Sequence, residues 1–244
     1  MKALNSILTN VHYSWVEILT DAFCALDDGY LNFLLEDKTF FPDIDNFLNP
    51  FKTLPLHDVK YILFGQDPYP RKESAIGYAF IDARVKNIFS SKGLSKEVNK
   101  ATSLRNFIKM LLLCEGLLNE DDLSQNAITK INKRDLCDSA MELKDNFEKN
   151  GVLLLNMALV FTKKNESKYH LKAWKPFVQS LLCSVKEYNI KLILFGNVAR
   201  DIEKLECSKV FDKLFFVHPY NVSFINDRKV HRLFGPMNLI YNYS

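Results

Sequence analysis

A chain of 244 residues with 48% hydrophobic and 25% charged side chains has the length of one large domain and a globular composition, which excludes disorder as its main state. The formal charge of +3 permits a polyanionic partner without requiring one. No apolar stretch reaches the roughly 18 residues of a bilayer span, and the N-terminus lacks the apolar core and small-residue cleavage site of a secretory signal, so a soluble cytoplasmic protein is expected, nuclear if its source is eukaryotic or viral. The cysteines agree with that compartment: Cys24, Cys114, Cys137, Cys183 and Cys207 are odd in number and widely spaced, and no CxxC pair suggests a metal site.

In chain order, the first pattern is helical. Trp15, Ile18, Leu19, Ala22, Phe23 and Leu26 recur at i, i+3, i+4 and share a face. Four apolar runs of strand length follow: Val59 to Phe64, Val152 to Asn156, Lys191 to Phe195 and Leu214 to Val217. Runs without polar alternation predict strands buried on both faces. Between them lie helical faces built from Leu104, Phe107, Ile108, Leu111 and Leu112, and from Trp174, Phe177, Val178, Leu181, Leu182 and Val185. Ser139 and Glu142 fit a capping box. The polar stretch from Glu115 to Cys137 reads as loop with short helical pieces. Alternating strands and helices predict a three-layer α/β/α fold with a central, mainly parallel four-stranded sheet. With no repeat and no linker, the whole chain, 1–244, is expected to form a single domain, its N-terminal helical region of about 1–50 packed on the α/β core.

Open α/β sheets bind ligands beyond the carboxyl ends of their strands. There the chain carries GQDPYP (Gly65 to Pro70), Asn156, Gly196 with Asn197, and His218 with Pro219. A carboxylate can accept a proton from water or stabilise a cation, an imidazole can stabilise a developing anion, and a carboxamide suits the edge of a nucleobase. Together they describe a site that parts a planar heterocycle from a sugar. Each also has a structural reading: Asp67 could cap a turn, Asn156 could satisfy loop backbone, and His218 could be a satisfied core histidine.

The order and local sequence of these segments resemble family 1 uracil-DNA glycosylases. The family's GQDPYH appears as GQDPYP after a lead-in, FLNPFKTLPLHDVKYIL, similar to the family's own. GYAF (Gly77 to Phe80), TSLRN (Thr102 to Asn106), GVLLLNMAL (Gly151 to Leu159), Trp174 with Phe177, LILFGNVA (Leu192 to Ala199) and His218 to Ser223 follow in the family's order. The resemblance implies a metal-independent, cofactor-free monomeric hydrolase that flips uracil out of single- and double-stranded DNA and leaves an abasic site, the first step of base excision repair. It implies catalytic roles for Asp67, which would position water and stabilise the sugar cation, and for His218, which would meet the charge on uracil O2. Asn156 would read the base edge, Phe80 would stack on it, Tyr69 would exclude a C5-methyl, and amides around Gln66 would hold the base. Ser103 and Ser223 would contact phosphates, and Val222 would be the wedge.

The departures fall in the DNA-handling loops. HPYNVS (His218 to Ser223) stands for HPSPLS, so Val222 replaces a longer leucine, and the expectation is either a weaker wedge or one whose task Phe224 or Tyr220 shares. Pro70 replaces a histidine, Ala101 and Thr102 replace prolines, and SKYH (Ser167 to His170) replaces an HSH-type segment. Lys163, Lys164, Lys168, Lys172, Arg228, Lys229 and Arg232 are expected to attract phosphates or simply to be a solvated surface. The alternative is a catalytically weak or inactive DNA-binding, replication-associated module of the same fold. A nucleotide-binding protein is disfavoured because no GxGxxG or Walker A sequence follows any strand. Inhibitor or replication-protein partners and the strand preference are not legible.

Overall fold

The first and third apolar runs become the two inner strands of one sheet, and the second and fourth become its edges. The structure is a computed structural model describing residues 2–37 and 39–242. Its helices through the first strand are α1 (Lys2–Leu8), α2 (Val16–Cys24), α3 (Asp28–Glu36) and α4 (Pro50–Thr53), leading into β1 (Tyr61–Gly65). A short hairpin, β2 (Phe89–Ser90) and β3 (Gly93–Leu94), precedes α5 (Lys96–Lys100), α6 (Thr102–Cys114), α7 (Gln125–Thr129) and α8 (Ala140–Lys149). The chain closes with β4 (Val152–Asn156), α9 (Ser167–Ser184), β5 (Lys191–Phe195), α10 (Val198–Glu203), β6 (Asp212–Phe216) and α11 (Arg228–Phe234).

The sheet order is β4-β1-β5-β6, with β1 parallel to both β4 and β5. The fold class is the expected one, a central, mainly parallel four-stranded sheet flanked by helices. β4 and β5 have the predicted bounds, while β1 starts two residues late because Val59 ends the 3-10 turn Leu56–Asp58. The fourth run is corrected. Its strand begins at Asp212, and Phe215 and Val217 are 48% and 39% exposed, so it is not buried on both faces. As the outer strand beside β5, β6 leaves part of its faces to solvent. The two-residue strands of the β2–β3 hairpin are too short to show a period of two in the sequence.

The chain divides into two compact units. The first holds the residues up to Ile81 together with Gly151–Phe215. Within it, α2 packs on α9, and Phe23 meets Trp174, Phe177 and Phe47 edge to face at 6.1, 5.0 and 6.2 Å. Ile62, Phe64, Leu153, Leu155, Leu192 and Leu194 supply the sheet side of that core, and Leu63, Leu154 and Ile193 on the opposite face are also buried. Two buried faces explain why these strands lack alternation, and each fully buried side chain of this kind stabilises the fold by about 1.5–3 kcal/mol.

The second unit holds Asp82–Asn150 together with the residues from Phe216 on. The predicted face of α6 is its core, where Phe107 meets Phe147, Phe224 and Phe234 at 5.7, 5.8 and 5.2 Å. Ser139 caps α8 by accepting the Glu142 N–H at 3.1 Å, but Glu142 bonds the amide of Asp138, one residue before the cap. The Glu115 to Cys137 stretch holds only α7 among loops and turns. A further correction concerns sulfur: Cys183, on α9, and Cys207, in the 3-10 segment Glu206–Val210, form a disulfide, leaving Cys24, Cys114 and Cys137 free. Wide spacing hid this pair because packing of α9 on that segment brings the two together. Among the described residues, no helix is long and apolar enough to cross a membrane.

Candidate functional site

The carboxyl ends of β1 and β4 lie side by side, with Gly65 in register with Asn156. Beyond them the ladder continues, as the Met157 and Ala158 amides donate to the carbonyls of Gly65 and Gln66 at 2.9 and 3.0 Å. The Asn156 side chain lies against the bare Cα of Gly65. A Cβ there would stand 2.3 Å from Asn156 Oδ1 and 2.9 Å from Ala79 Cβ, so glycine is needed for close approach rather than for its dihedrals. Asn156 is 2% exposed, yet among the described residues no hydrogen bond to its carboxamide is found. Its carboxamide is not among the fully buried unpaired polar atoms, so it keeps a small opening to solvent through which a ligand with a matching donor–acceptor edge could reach it.

Asp67 follows β1 by two residues and is half-buried. Its Oδ2 accepts from the Ser167 hydroxyl, and Gln66 Nε2 stands 3.5 Å from the same oxygen. Ser167 is the first residue of α9. Three residues on, His170 is buried with both ring nitrogens engaged: Tyr30 Oη at 2.6 Å from Nδ1 and Thr162 Oγ1 at 2.9 Å from Nε2. Thr162 donates its own proton to Glu166 at 2.6 Å. Burial pushes the His170 pKa down and the Tyr30 pKa up. A neutral imidazole with this partner set donates from Nε2 to Thr162 and accepts at Nδ1 from Tyr30.

Tyr69 and Phe80 are joined by a hydrogen bond from Tyr69 Oη to the Phe80 carbonyl at 3.4 Å. Phe80 has φ of +65°, a left-handed conformation that a non-glycine residue holds only when its surroundings enforce it. The adjoining Ala79 amide donates to Leu154 at 3.2 Å, and the Phe80 ring sits edge to face on Phe195 at 5.4 Å.

In the second unit, His218 Nδ1 accepts the Tyr220 N–H at 3.1 Å, which puts the neutral ring's proton on Nε2. Burial lowers the His218 pKa. Asn106, buried on α6, donates to the carbonyls of Pro219 and Tyr220 at 2.8 and 3.3 Å and so fixes this loop. Val222, Ser223 and Tyr220 are exposed, whereas Phe224 is fully buried against Phe107. Phe224 therefore does not share the wedge position, because its ring is committed to the core. Ser103 lies half-buried in the first turn of α6. The seven basic residues singled out in the sequence are exposed, and Lys163 pairs with Glu166 at 2.8 Å. No group of three or more acidic, histidine or cysteine side chains is placed to hold a metal ion among the described residues. Ser167 and Asn106 are the polar contacts that sequence reasoning missed as functional, although both stand inside segments marked by the resemblance.

These features define an α/β protein with a carboxamide, Asn156, and a carboxylate, Asp67, at or just beyond the carboxyl ends of its parallel strands. A scan against protein-family models finds no match. The crystal structure of the wild-type UNG from Nitratifractor salsuginis is 49% identical, with a TM-score of 0.96 over 98% of this chain and 97% of that one. Uracil-DNA glycosylase from Fusobacterium nucleatum is 28% identical over 88% of this chain and 84% of the relative. That of Streptococcus mutans is 26% identical over 87% and 85%. The chain belongs to the uracil-DNA glycosylase family.

Proposed function

We propose that this protein excises uracil from DNA by hydrolysing the N-glycosidic bond, leaving an abasic site for repair. The observation that carries this reading is the Asn156 carboxamide, buried beside Gly65 with its hydrogen-bonding capacity unspent. Its donors and acceptor match the N3 and O4 edge of uracil. The nucleotide must leave the stack first, at a cost of a few kcal/mol that is lower for a mismatch. Phe80 then stacks on the base, Tyr69 excludes a C5-methyl, and backbone amides around Gln66 help to hold the ring.

As the bond breaks, positive charge grows on the sugar and negative charge on the base. Asp67 orients water and stabilises the cation, while the Nε2–H of neutral His218 donates to uracil O2. The protein acts as a monomer on single- and double-stranded DNA, with Ser103 and Ser223 at phosphates and Val222 as a short wedge. The exposed lysines and arginines add a phosphate attraction that weakens with salt. No metal or other cofactor takes part.

The test is incubation with an oligonucleotide bearing one uracil, in chelator, followed by alkaline cleavage of abasic sites. Cleaved product is expected from the wild type, falling roughly 100- to 1000-fold or more in Asp67→Asn and His218→Ala. Absence of product would leave the inactive DNA-binding module as the better reading.

A further inference from the structure

We propose that Ser167 is a positioning residue that locks one oxygen of Asp67 so that the other faces the attacking water. This inference rests on the glycosylase reading and names a residue that the motifs leave without a role. The Ser167 hydroxyl donates to Asp67 Oδ2, and the Gln66 amide approaches that same oxygen. No hydrogen bond to Oδ1 is found among the described residues. The carboxylate is therefore held by one oxygen with the lone pairs of the other unspent.

Ser167 is held in turn. It opens the 18-residue helix α9, whose first turn is pinned through His170 to Tyr30 on α3 and to Thr162 just before the helix. The direction of donation along Tyr30, His170, Thr162 and Glu166 is fixed, which leaves this turn little rotational freedom. The helix also presents its positive end to the carboxylate. Pro70 stands where the family's first motif carries a histidine, so this chain offers Asp67 a serine from another element.

Positioning is separable from folding by kinetics. Single-turnover excision of uracil from a single-stranded oligonucleotide is measured for the full-length wild type, Ser167→Ala, Ser167→Thr, Asp67→Asn and the double variant Ser167→Ala with Asp67→Asn. Affinity for an oligonucleotide with a non-cleavable deoxyuridine analogue is measured in parallel. Losing a hydrogen bond to a charged group predicts a rate about 10- to 100-fold lower in Ser167→Ala, with affinity changed less than about twofold. Ser167→Thr, which keeps the hydroxyl, restores the rate to within a few-fold. In the Asp67→Asn background, Ser167→Ala has no further effect, because the two act as a unit.

A wild-type rate in Ser167→Ala would overturn the inference alone. So would a loss that appears only as weaker binding, or one that persists undiminished in the Asp67→Asn background. A wild type that releases no uracil would overturn the glycosylase reading and this inference with it.

Discussion

Gly65→Ala should disable the protein through a single methyl group. The new Cβ would sit 2.3 Å from Asn156 Oδ1, where ordinary contact begins at 3.4 Å, so the carboxamide must retreat by about 1 Å. The new methyl has no room to shift away instead, because Ala79 Cβ stands 2.9 Å from the same point. Overpacking of this kind typically costs about 1–3 kcal/mol of stability. A displacement of about 1 Å at a reading group costs on the order of 100-fold in rate. The assay is single-turnover uracil release beside a denaturant melt. Adding Ala79→Gly relieves the second contact but not the first, so the double variant should regain stability and stay slow. Uracil release by Gly65→Ala within threefold of wild type, at unchanged stability, would refute the argument that the base edge is read by a carboxamide seated on this glycine.

Asn106→Ala removes the donor that ties down the Pro219 and Tyr220 carbonyls, so it should lower stability by about 1–3 kcal/mol and speed amide exchange from Asn221 to Phe224; unchanged protection there would argue against the tie. Tyr69→Ala opens the space beside the base and should begin to release thymine from thymine-containing oligonucleotides, and no detectable thymine would count against the steric role. Val222→Leu adds one methylene at a position 68% exposed, so uracil release from duplex should rise about fourfold while the single-stranded rate stays level. Burial holds the pKa of His170 and of His218 below the ordinary value, against the opposing pull of Glu166 and Asp67 on His170. The unfolded chain therefore takes up protons that the fold refuses once pH drops below about 6.5, and stability, full above that pH, declines on acidification. Thermal melts from pH 8 to 5 should show this fall and a shallower one in His170→Phe; a flat profile would contradict it.

What the sequence discloses follows physical rules. β4 and β5 were legible because burial on both faces leaves a run of apolar residues with nothing to interrupt it, and the faces of α6 and α9 because a helix in a core repeats its contacts every 3.6 residues. β6 misled because an outer strand can carry phenylalanines without hiding them. Phe224 misled for the converse reason: in a loop beside the proposed wedge its ring is indistinguishable by type from a reaching side chain, and only Phe107 shows that it points inward. The Cys183–Cys207 bond, the Ser167 contact to Asp67 and the grip of Asn106 on the His218 loop join residues far apart along the chain, and no local periodicity encodes them. Asp67, Asn156 and His218 were legible as types at strand ends. The crowding of Gly65 on Asn156 and the proton position on His218 needed coordinates.

The idle carboxamide at the end of β4 sets a trade-off between robustness and specificity. An apolar side chain of equal size would cost less to bury at that position than a carboxamide with no protein partner does. Selection for thermal endurance alone would thus tend to erase the very group that the proposed function assigns to discrimination between bases. Stabilising substitutions are best sought on the opposite side of the sheet, where Phe23 and Trp174 already meet and no recognition chemistry is at stake.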